Sequence, residues 1–68
     1  MSHDNKKLLV RQTIAMHKMI EPTVEGLTQC LESLGLPINE CDNFAFEWYE
    51  AESKEERLEI IDEIAGLI

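Results

Sequence analysis

Apolar residues recur along this chain at intervals of three and four, the spacing that lays one face of an α-helix against a core. At 100° per residue, Leu9, Thr13, Met16, Ile20, Val24, Leu27, Leu31 and Leu34 fall within one arc of about 80°. The phase runs straight through Pro22, and Glu21 is a weak N-cap for a helix restarting there. The pattern therefore predicts one long helix over about residues 5–34, kinked at Pro22, rather than two helices folded back on each other. Asp4 or Asn5 can cap its start. Gly35, Leu36 and Pro37 end it: glycine takes the left-handed position, leucine packs back, and proline forbids continuation.

Asn39 or Asp42 can cap a second helical segment running to about Glu52, whose inward face is Cys41, Phe44, Ala45 and Trp48. Ser53 and Glu56 then make a capping box that opens a last helix, with Leu58, Ile61, Ile64, Ala65 and Ile68 on its apolar face. That face is rotated by more than a right angle from the one before, which requires a break at Ser53. No segment alternates as a strand does. The expected fold is all-α and a single small domain: a long N-terminal helix, a tight Gly-Leu-Pro turn, and two shorter helices packing back along it.

A chain of 68 residues holds one thin core and commonly leans on disulfides, a metal or a second copy of itself. Its two cysteines, Cys30 and Cys41, match neither a disulfide framework nor a zinc spacing, and are expected to be reduced core thiols. Self-association is the support that remains. Since two short helices can hardly cover so long a stripe, a helical-bundle homodimer or larger assembly is expected. No apolar run approaches the length of a membrane span or a signal-peptide core, so a soluble protein of the cytoplasm, without a membrane partner, is expected.

Charge narrows the partners. The formal net charge is −8, made of +3 over residues 1–20 and −11 over residues 21–68. A nucleic acid would be repelled by most of the chain, so no direct nucleic-acid contact is expected, and a basic protein surface is the better electrostatic match.

Few residues suggest chemistry. A di-iron site would need a Glu-x-x-His pair on each of two helices, and neither His3 nor His17 has that spacing. Met16, His17 and Met19 offer soft ligands, but on the helical wheel His17 points away from both methionines, as a surface histidine beside a core pair. No cation adjoins either cysteine to stabilise a thiolate. No catalytic residue, metal site or cofactor is expected.

An interaction surface is easier to draw. All four aromatic residues lie between Phe44 and Tyr49, and Phe46 and Tyr49 fall outside the inward face of their helix. Aromatic side chains with a polar handle are enriched at interfaces. The outer side of the last helix collects Glu55, Glu56, Glu59, Asp62 and Glu63, for which a solvated face is the plainer account. Phe46, Tyr49, Glu50, Glu59 and Asp62 are accordingly the candidate partner-binding residues. The function expected is a small, acidic, non-enzymatic interaction or regulatory module that self-associates and binds a protein. The alternative is an acidic decoy that imitates phosphate charge and occupies a nucleic-acid-binding protein.

Overall fold

In a computed structural model that describes residues 1–68, the chain is 79 % helical and has no strand. Four helices make it up: α1 (His3–Ile20), α2 (Val24–Glu32), α3 (Ile38–Glu50) and α4 (Lys54–Leu67). They form a closed circuit. Each packs against its neighbours in sequence, and α1 against α4 completes the ring of contacts around one core.

The main departure from expectation lies at Pro22. Instead of kinking one long helix, the chain leaves the helical conformation: Glu21 and Thr23 are both extended, and α2 begins afresh. The hydroxyl of Thr23 accepts the Gly26 N–H at 3.0 Å and caps the new helix, with Glu25 in the favourable first turn. Pro22 therefore precedes the cap rather than following it. Gly26 makes the corner possible, since a Cβ built there would lie 1.9 Å from the Glu21 carbonyl oxygen. Only a residue without that carbon lets the end of α1 pass so close to the start of α2.

Once the two helices are independent, their phases no longer need to agree. The buried face of α1 is Val10, Thr13, Ile14 and His17, turned by about 80° from the expected stripe. Met16 and Ile20 consequently stand exposed. In α2 the expected face holds, with Leu27 and Leu31 wholly buried. These two leucines join Val10, Ile14, Leu36, Cys41, Phe44, Ala45, Trp48, Ile60, Ile61, Ile64 and Ala65 in a single core.

The other boundaries follow local rules. Ser2, rather than Asp4 or Asn5, caps α1, its hydroxyl accepting the Asn5 N–H at 3.2 Å. The end of α2 tightens through backbone bonds from Ser33 to Cys30, Leu34 to Leu31 and Gly35 to Glu32, and Gly35 carries φ 90°. Leu36 folds back into the core. Neither Asn39 nor Asp42 caps α3; Pro37 stands at that position, and its carbonyl accepts the Cys41 N–H at 3.0 Å. Proline fits there because its fixed φ suits the entry to a helix and it has no N–H to leave unpaired. At α4, Ser53 accepts the Glu56 N–H at 3.2 Å while the Glu56 carboxylate reaches back to the Glu52 N–H at 3.4 Å. Ile60 rather than Leu58 completes the inward face of that helix, a rotation of about 30°.

Candidate functional site

Helix α3 divides its aromatics between two jobs. Cys41, Phe44, Ala45 and Trp48 point into the core, whereas Phe46 and Tyr49 remain 50 % and 40 % exposed. Opposite Phe46 runs α4, and between the two helices lies a groove of about 610 Å³. Phe46, Ala51 and Ile60 supply its apolar surface, and Glu47, Glu50, Glu56, Glu59 and Glu63 supply five carboxylates.

None of these glutamates forms an ion pair within the chain, and the only ion pair anywhere joins His3 to Asp62. The cations lie elsewhere. Lys18 of α1 and Arg57 of α4 lie over the Trp48 ring, 5.9 and 5.2 Å from its centre, and Lys6 donates to the Ile68 carbonyl at 2.5 Å. Packed carboxylates without counter-ions raise the local negative potential, which favours a bound cation.

Three of the five expected partner-binding residues, Phe46, Glu50 and Glu59, meet in this groove. The other two are engaged by α1. Tyr49 donates its hydroxyl to His17, and Asp62 accepts from the His3 ring at 2.7 Å. That contact holds the Asp62 carboxyl below its ordinary range, chiefly through the hydrogen bond, with the charges of His3 and Lys7 adding to it. Asp62 is therefore already partnered, unlike the glutamates around the groove.

His17 is where the sequence misleads most. Expected at the surface, it is completely buried in α1. Its Nδ1 contacts the Ile14 carbonyl and its Nε2 lies 2.7 Å from the Tyr49 hydroxyl. A carbonyl oxygen can only accept, so the proton of a neutral ring sits on Nδ1 and Nε2 accepts from tyrosine. The ring edges meet at 82° with centres 5.8 Å apart. One signal could have exposed this pairing: Val10, Ile14 and His17 keep the i, i+4, i+7 spacing of an inward face once α1 is read by itself.

The remaining reactive groups are quiet. Cys41 is buried, and its thiol donates to the Leu36 carbonyl at 3.6 Å. Burial pushes its pKa up, and the charges of Glu32 and Glu40 push in the same direction, so the nucleophilic thiolate is suppressed. Cys30 is half-buried. No set of three or more His, Cys, Asp or Glu side chains is placed to hold a metal ion. No helix is long and apolar enough to cross a membrane.

Comparison with known proteins finds no match to a family model, to a characterised protein or to a solved structure.

Proposed function

We propose that this chain is a small, acidic, non-enzymatic interaction module whose α3–α4 groove receives a basic, amphipathic segment of a protein partner. The observation that carries the reading is the half-exposed Phe46 lying among five glutamates that have no counter-ion in the chain. An aromatic anchor gives affinity through buried area, and the carboxylates select cationic residues beside the apolar ones that cover it. A helix carrying apolar side chains one or two turns apart, flanked by lysine or arginine, has the chemistry that fits.

Affinity capture at two salt concentrations, with wild-type and altered chains, tests this. Phe46→Ala should abolish capture and leave the helical circular dichroism unchanged. Reversing charge at Glu59 and Glu63 should weaken capture mildly at physiological salt, where exposed charges are screened. If the reversal abolishes capture and Phe46→Ala does not touch it, the chain is instead an acidic decoy of a nucleic-acid-binding protein. The row of glutamates on α4 is what favours that second reading.

A further inference from the structure

The rotation of α1 leaves an apolar surface that nothing in the chain covers. Leu8, Met16, Met19 and Ile20 are 54 %, 53 %, 88 % and 70 % exposed, and on the wheel they span an arc of about 120°. Arg11, Lys18 and Lys7 lie about 60 to 100° beyond the Leu8 edge of that arc; none forms an ion pair with a carboxylate, and Lys18 lies over the Trp48 ring. The side of α1 that faces outward is thus a basic, amphipathic helix with apolar residues at intervals of seven and four: Leu8, Ala15 and Met19. A helix that docks into a groove presents anchors at such turn spacings.

We infer that α1 of a second copy occupies the α3–α4 groove, so that the chain binds itself head to tail. This rests on the reading of the groove given above and names an occupant for it. Charge complementarity carries the choice. The groove gathers five glutamates without counter-ions, and the exposed helix bears three cations without counter-ions. Two copies of α1 facing each other would set those cations against one another. Placed in the groove, Lys7, Arg11 and Lys18 meet carboxylates, and Leu8 and Met19 cover Phe46 and Ile60. The two surfaces are different, so any open assembly keeps a free α1 at one end and a free groove at the other, and growth continues unless the rotation closes a ring. A partner segment with the same chemistry competes for the groove and disassembles it.

Sedimentation equilibrium over a range of concentrations tests the contact. The wild-type mass should rise from the 7.8 kDa of one chain past twice that value at low salt, and fall back as salt is added. Lys7→Glu with Arg11→Glu reverses charge on the helix, and Glu59→Lys with Glu63→Lys reverses it in the groove; at low salt, where these charges are not screened, each double variant alone should stay at the mass of one chain. Mixed in equal amounts they should associate again, because one contributes an intact groove and the other an intact helix. All four positions lie away from the core, and circular dichroism checks that each variant is folded. Should either lose its helicity, Met19→Glu and Glu50→Lys replace the pairs. A wild-type chain that remains single at all concentrations overturns the inference, as does self-association at low salt that survives Glu59→Lys with Glu63→Lys. A chain that captures a partner through Phe46 yet never self-associates would leave the proposed function standing and remove this occupant from it.

Discussion

The hydroxyl of Tyr49 donates to Nε2 of the buried His17 across 2.7 Å, linking α1 to α3, two helices whose backbones do not pack directly. The bond satisfies the one ring nitrogen that the Ile14 carbonyl leaves free, and no buried side-chain polar atom in the chain lacks a partner. The exposed ring of Tyr49 is thus the outer end of an internal contact. Its role differs from that of Phe46, three residues earlier on the same helix.

The two aromatics should therefore separate by experiment. Tyr49→Phe removes the donor and leaves a buried acceptor unsatisfied, at a cost of about 1 to 3 kcal/mol. In a fold this small that is a large share of the total stability, and a urea melt will show it. Phe46→Ala should move the same melt by about 1 kcal/mol or less, since half of the residue already faces water. A Tyr49→Phe melt that coincides with wild type would mean that the His17 contact does not bear on the fold.

A second prediction concerns the corner at Pro22. Gly26→Ala places a methyl group 1.9 Å from a backbone oxygen of Glu21, and backbone has no rotamer with which to move aside. The gain in helix propensity from glycine to alanine, about 1 kcal/mol, is too small to offset separation of α1 from α2. The variant should melt well below wild type or fail to fold. Gly66→Ala is the matched control, because open space surrounds that glycine, and it should be neutral or slightly stabilising.

The same corner explains how much of the fold was legible in the sequence. Helical periodicity, the Ser53 cap, the inward face of α3, and Leu27 and Leu31 all rest on interactions within a few residues, and local spacing carries such information well. The corner depends on a clash that does not occur between Gly26 and Glu21, and a stripe that stayed in phase across it by coincidence hid the break. Thr23 with Glu25 in the first turn and a glycine at position 26 was the local signal for a new helix. Of the candidate site, Phe46, Glu50 and Glu59 could be read from wheel position and charge. The engagement of Tyr49 and Asp62 by α1 could not, because each depends on a residue at least 32 positions away.

The cysteines should differ in reactivity although neither adjoins a cation. Cys41 is wholly buried with its pKa raised, so both access and thiolate content oppose its alkylation. With iodoacetamide at neutral pH, one label per folded chain is expected, and peptide mapping should place it at Cys30. Denaturant should expose Cys41 and bring the label to two. Prompt double labelling of the folded chain would show that α3 opens locally under native conditions.

The last prediction concerns acid. The Asp62 carboxyl is held below its ordinary range because the folded state offers its ionised form a hydrogen bond from His3. A group whose folded pKa is lowered contributes stability that is present above its unfolded pKa, near 3.9, and disappears as pH falls through the lowered folded value. The contribution is small, because the pair is exposed to water that screens it. It is best read on the carboxyl itself by following its carbon chemical shift against pH. His3→Ala should return the midpoint toward the ordinary aspartate range, removing the largest cause of the shift along with the smaller charge effect of the same ring. Lys7→Met should move it in the same direction but less, because the Lys7 charge is the weakest of the causes. In melts, wild type and His3→Ala should differ above pH 4 and converge as the solution is made more acidic, since a protonated Asp62 no longer distinguishes the two chains by charge. A midpoint unchanged by His3→Ala, or a stability difference that grows toward low pH, would show that this contact does not hold α1 to α4.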